Sequence, residues 1–152
     1  MVRADEGLPF LLRYENIAHY DDGIVWILDR RIYPAREDFV RCADYRQVAN
    51  AIADMVTQSG GPLFAASLGM VSAARQAKGL SLPEARKILQ QSADELSQAR
   101  PTTSANMQSH IQKVLKIALA AVEQGEDAEA KAHTYVMENI EKRYQLSRIM
   151  AD

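Results

Sequence analysis

Ser59-Gly60-Gly61-Pro62 runs straight into Leu63–Ala77, an apolar stretch rich in small residues, and the rest of the architecture can be built around it. Glycine lets the backbone turn sharply, and proline in the first helical turn loses no hydrogen bond that the helix would have made. Leu63, Phe64, Leu68, Met70 and Val71 cover most sides of a helix over about 62–77. A helix that is apolar all round belongs at the centre of a bundle, with other helices wrapped about it. Gly79 stops it.

Upstream, Asp44 caps a helix whose apolar face is Tyr45, Val48, Ala49, Ile52 and Val56. Before that lies a β-hairpin: Asn16–Tyr20, the turn Asp21-Asp22-Gly23, then Ile24–Leu28. Asp-Gly between β-rich runs is a strong short-range hairpin signal. Pro34 ends the extended piece that follows, and Phe39-Val40-Arg41-Cys42 is a candidate third short strand. Trp26 and Tyr20 flank the turn, where they would cover a pocket or pack the hairpin onto helices. Residues 1–15 carry mixed signals and are expected to form a loose arm.

Downstream, Ser81-Leu82-Pro83-Glu84 is a capping box with proline in the first turn, opening a third helix with Ala85, Ile88, Leu89, Leu96 and Ala99 on one face. Arg100-Pro101 ends it, because proline disfavours a helical predecessor. Thr102, Thr103 and Ser104 offer caps for a fourth helix with the stripe Met107, Ile111, Val114, Leu115, Ala118 and Val122, closed by Gly125. Asp127 caps a fifth helix with Val136, Met137, Ile140 and Tyr144 inward; Gln145–Asp152 has no C-cap glycine, as if the helix frayed or led onward. The expected fold is mainly α: an N-terminal β-hairpin, with a candidate third strand, packed on a bundle of about five helices.

The 152 residues suffice for one domain with a real core. The 18 Lys and Arg are dispersed and offset by 20 Asp and Glu, which gives no basic surface for nucleic acid. A single cysteine excludes an internal disulfide, and no segment approaches the ~20 apolar residues of a membrane span, so a cytoplasmic location is expected.

Chemistry-bearing groups are sparse. Cys42 has no histidine near it in sequence, and a buried, inert thiol is the expectation. His19, His110 and His133 lack metal-ligand spacing, so no metal is assigned, and no catalytic residue is either. Two junctions suit an anion. Gly60-Gly61-Pro62 aims free N–H groups and the positive end of a helix dipole at its loop. Arg100-Pro101-Thr102-Thr103-Ser104 pairs a fixed cation with hydroxyls at a helix start. The ordinary reading of the first is loop-to-helix punctuation, which Gly-Gly-Pro commonly is, and that of the second a loop Arg beside ordinary N-caps.

The order of features resembles the N-terminal domain of the family joining methylthioribose-1-phosphate isomerase to the alpha, beta and delta subunits of translation initiation factor 2B. The matching pieces are Asp22–Arg31 with Tyr33-Pro34, Ala51–Val56 leading to Gly60-Gly61-Pro62, Ala65-Ala66-Ser67-Leu68-Gly69, Ala99-Arg100-Pro101-Thr102, and Ser147–Asp152. The likeness covers residues 16–152 and implies that an absent Rossmann-like catalytic domain follows.

The resemblance implies aldose–ketose isomerisation of a phosphorylated ribose derivative at the interface of the two domains, with no cofactor. The family's catalytic Cys and Asp belong to the second domain, and Cys42 is not that cysteine. This chain is then inactive alone and meets a phosphorylated pentose together with the missing domain. No nucleic acid or membrane partner is implied; homo-oligomers are expected of the full-length protein, and a monomer of this piece.

Carried over residue by residue, Ser59, Gly60, Gly61, Pro62, Arg100 and Thr102 fall on the substrate side. This chain departs from the family's Arg-Gly-Ala-Pro loop: Ser59 replaces the Arg, Gly61 replaces the Ala, and the Thr57-Gln58 run is one residue longer. There is also an extra residue between Thr102 and Asn106. Loss of that Arg removes a charge-assisted contact of roughly 1.5–3 kcal/mol. It opens two alternatives to methylthioribose 1-phosphate as substrate: a related pentose phosphate, or a non-catalytic regulatory role like that of initiation factor 2B.

Overall fold

The computed structural model describes residues 14–58, 61–100 and 105–151. A four-residue helix α1 (Tyr14–Ile17) precedes strands β1 (Ala18–Asp21), β2 (Ile24–Leu28) and β3 (Phe39–Cys42). Five longer helices follow: α2 (Tyr45–Ala53), α3 (Gly61–Gln76), α4 (Leu82–Ser97), α5 (Ala105–Glu123) and α6 (Ala128–Ala151). The expected arm falls, up to residue 13, outside the described residues. The first strand starts two residues later than its β-rich composition suggested, because Asn16 and Ile17 close α1 and Ala18 is the first residue to find a partner, Ile27.

The sheet is antiparallel in the order β1-β2-β3, so the candidate third strand is real. Asp22 (φ 47°) and Gly23 (φ 83°) both lie in the left-handed region, the geometry of a type I′ turn whose twist matches that of its flanking strands. Register puts Ala18, Ile27 and Val40 on one face with Val25 and Cys42, and that face joins the core. On the other face His19 stacks on Trp26 (centroids 6.2 Å apart) and leans on Phe39 (5.3 Å).

Helix α3 is the central helix its composition called for. It packs on α2, α4, α5, α6 and the hairpin, and it is buried almost without break from Gly61 to Ala74. Gly69 permits this closeness: a Cβ there would sit 3.0 Å from Leu96 and 3.1 Å from Val48. Ser81 Oγ accepts from the Glu84 N–H, and Asp127 Oδ1 from the Ala130 N–H, as capping chemistry requires. The expected caps Thr102, Thr103 and Ser104 lie outside the described residues.

Helix α2 ends earlier than its apolar face suggested, and Val56 is buried in the loop beyond it. Met55 turns left-handed (φ 64°); its N–H donates to Ile52 O (3.2 Å), while the Val56 N–H donates to Ala51 O (3.0 Å). This is a Schellman cap with methionine where glycine is usual. Helix α5 ends in the same motif with Gly125 (φ 71°), its N–H bonded to Val122 O and that of Glu126 to Ala121 O.

A polar clasp fastens the hairpin to the helices. The Tyr20 hydroxyl donates to Glu129, which also accepts from Lys78 (2.7 Å) and Arg75 (3.3 Å). Arg75 lies across the hairpin turn: a Cβ on Gly23 would come within 2.6 Å of its Nε. Lys78, Tyr20 and Arg75 together hold the half-buried Glu129 carboxyl below its ordinary range despite desolvation, and burial beside that carboxylate raises the Tyr20 phenol. Tyr20 therefore packs the hairpin on helices.

Candidate functional site

Arg100, from the second of the two junctions singled out in the sequence, meets the residues that end α2 and lead towards Gly61, at the end of the bundle where α2 stops, α3 starts and α4 ends. Arg100 stands just past α4. Its Nε donates to Ile52 O at 2.8 Å, and an Nη donates to Thr57 O, 43 residues away in sequence. The guanidinium thus braces the loop between α2 and α3 and places a fixed cation at the C-terminal, negative end of α2. Residues 54–58 are also held from the other side, by the Arg30 N–H donating to Val56 O (2.7 Å).

Gly61 opens α3 with its N–H on Gln58 O (3.0 Å), and Pro62 is buried beside it. The space a side chain would take at Gly61 is already filled. A Cβ there would fall 1.8 Å from Thr57 Oγ1, and Thr57 is itself buried. Glycine here accommodates the threonine. Ser59, Gly60 and Thr102 lie outside the described residues, so of the six expected site residues Gly61, Pro62 and Arg100 can be placed. Of these, Arg100 bonds to Thr57, whose side chain fills the space beside Gly61.

Cys42 is fully buried and its thiol is pushed up to about 11, first by desolvation and then by Asp44, which makes it a poor nucleophile. Among the described residues no group of three His, Cys, Asp or Glu could hold a metal ion, and no helix is long and apolar enough to cross a membrane. The arrangement braces the loop after α2, and no nucleophile–base pair is assembled among the described residues.

One buried polar group was not singled out in the sequence. His110, expected to be an ordinary surface or partly buried histidine, is buried between α5 and α6 and stacks on Tyr135. Burial first, then the nearby Arg143 and Lys113 charges, depress its imidazole to about 4. Its place at the inner edge of the stripe Met107–Ile111–Val114 was the available signal.

No family model matches the chain. It is 27% identical over 138 residues to a methylthioribose-1-phosphate isomerase of Caldanaerobacter subterraneus subsp. tengcongensis, covering 86% of this chain and 39% of that protein. The chain thus spans about two fifths of that relative's length. Among solved structures it is similar to 5-methylthioribose 1-phosphate isomerase from Pyrococcus horikoshii, with a TM-score of 0.64 and 21% identity over 80% of this chain and 34% of that one. It is similar also to the delta subunit of translation initiation factor 2B from A. fulgidus, with a TM-score of 0.69 and 24% identity over 81% of this chain and 36% of that one. At those identities the solved structures establish the fold, and the sequence match agrees with them: over most of its length the chain resembles one part of methylthioribose-1-phosphate isomerases and of a translation initiation factor 2B delta subunit.

Proposed function

We propose that this chain is the substrate-covering N-terminal domain of a sugar-phosphate aldose–ketose isomerase similar to methylthioribose-1-phosphate isomerase, and that it is not catalytic alone. One observation supports the proposal: the Arg100 guanidinium reaches the carbonyls of Ile52 and Thr57, which brings the second anion-suited segment's cation to the residues that lead into the first. In this reading Ser59, Gly60, Gly61 and Pro62 present backbone N–H groups to the sugar phosphate at the start of α3. Arg100 and Thr102 complete the anion's surroundings, Arg100 both through its charge and by holding the loop in shape. The reacting groups come from the domain that follows in the family, and no cofactor or metal is needed. The protein works in the cytoplasm, and its full-length form assembles as a homo-oligomer.

The test is thermal stabilisation of the full-length gene product by a panel of ribose 1-phosphate derivatives. A shift of several degrees with one member, abolished in Arg100→Ala, supports the proposal; no shift with any member overturns it. The likeness to the initiation factor 2B delta subunit favours a second reading, a regulatory or assembly domain that binds a partner protein or phosphorylated metabolite without catalysis. Isomerase activity of the full-length protein on the stabilising sugar decides between the two.

A further inference from the structure

A groove of about 380 Å³ runs along the surface between α5 and α6. Ile117 of α5 and Tyr135 of α6 line it as half-buried apolar walls, and Ala130, Lys131, Thr134 and Glu138 of α6 line it as exposed residues. Side chains of another molecule can enter a space of that size. Ala130 and Thr134 are small, which lets a second helix come close to α6.

Charge follows a definite order along this side of α6. Asp127, Lys131, Glu138 and Lys142 stand at spacings of four, seven and four residues, which at 100° per residue keeps them within about 60° of one another around the helix. The order acid, base, acid, base is antisymmetric about the point between Thr134 and Tyr135. Each charge on one side of that point has its opposite at the same distance on the other. A second copy of α6 laid antiparallel across this point, as a two-fold axis requires, therefore sets Lys131 of each copy against Glu138 of the other, and Lys142 against Asp127. A parallel copy in the same register sets like against like. Glu138 and Lys142 form no ion pair among the described residues, so both are available. Lys131 holds Glu126 at 2.6 Å and Asp127 is held by Lys78 at 3.4 Å, so these two would be shared between contacts.

We propose that the α5–α6 face is the contact between two copies of this chain, related by a two-fold axis passing between Thr134 and Tyr135, with the groove filled by side chains of the other copy. Burial of Ile117 and Tyr135 supplies the affinity, and the ion pairs across the axis fix register and direction. The contact is one helix face wide, so the association is weak and concentration-dependent. It departs from the monomer expected of this piece, and it does not depend on the function proposed above.

Analytical ultracentrifugation of the 152-residue chain over a concentration series tests it. The expected mass rises with concentration from 17.0 kDa towards twice that value. Glu138→Lys and Lys131→Glu each turn both cross-axis contacts repulsive and should weaken association at least about ten-fold, with the helical circular dichroism unchanged. An equimolar mixture of the two variants should associate again, because one then offers lysines and the other glutamates across the same two contacts. A loss of association caused by misfolding gives no such rescue. A mass of 17.0 kDa at every concentration up to millimolar leaves the face to some other partner and overturns the proposal. Association that the charge reversals leave unchanged, or that mixing fails to restore, overturns it equally.

Discussion

Replacing Arg100 with alanine should unfold the brace before it affects any ligand. The guanidinium makes two charge-assisted hydrogen bonds, to Ile52 O at 2.8 Å and to Thr57 O. Such bonds contribute about 1.5–3 kcal/mol each when well shielded, and Arg100 is half-buried, so the lower end applies. Ile52 O keeps a bond from the Met55 N–H at 3.2 Å after the substitution. Thr57 O loses its arginine, and the C-terminal dipole of α2 loses a cation worth roughly 0.3–1 kcal/mol. The sum is a destabilisation of about 2–3 kcal/mol, which for a domain of this size is roughly 5–10 °C in Tm. Urea unfolding of the chain and of Arg100→Ala measures it, and Arg100→Lys, which can reach one carbonyl but not both, should lose about half as much. A loss under about 0.5 kcal/mol for Arg100→Ala, the range of an ordinary surface substitution, would refute the brace. The same pair of variants then separates two effects on ligand binding. An arginine that only shapes the loop is partly replaced by lysine together with stability, while one that also touches phosphate loses affinity beyond what the stability change accounts for.

Other outcomes follow from single geometries. Met55 occupies a left-handed position while 49% exposed, so Met55→Gly should stabilise the chain by up to about 1 kcal/mol in urea unfolding; a loss of stability would show that its side chain packs. Gly61→Ala drives a methyl into Thr57 Oγ1 and should cost about 1–3 kcal/mol. Combining it with Thr57→Ala should recover at least ~1 kcal/mol of that, and strict additivity of the two would sink the steric explanation. Tyr20→Phe removes one donor from the Glu129 clasp and should cost about 1 kcal/mol, read as a lower urea midpoint at unchanged slope. His110 is depressed to about 4 when folded against 6.5 when unfolded, so the unfolded chain binds the proton first. Stability should be complete above pH 6.5 and fall by about 3 kcal/mol as pH drops through 4, a loss that His110→Gln should largely abolish between pH 6.5 and 4; an unchanged pH profile in that variant would refute it.

Much of the fold is local in origin and therefore open to the sequence. Asp22-Gly23 encodes a type I′ turn because both residues tolerate positive φ, and the β-rich runs on either side then pair in the only register the turn allows. The small, apolar composition from Leu63 to Ala77 marks a helix with no solvent face, and Ser81, Asp127, Gly79 and Gly125 mark helix ends through chemistry complete within four or five residues. The end of α2 escaped because methionine holds a position normally signalled by glycine.

The site divides along the same line. The Gly-Gly-Pro junction and Arg100-Pro101 could each be recognised as anion-suited from residue types alone, since dipoles, N–H groups and guanidinium geometry are properties of short segments. That Arg100 reaches the carbonyls of Ile52 and Thr57, and that His110 is buried against Tyr135, are pairings across long sequence separations. Such contacts exist only after α3 has been buried and four helices have closed on it. The local chemistry of this sequence determined its elements and their ends; the packing of those elements decided which polar groups face one another, because a side chain's partner is set by where distant backbones come to rest.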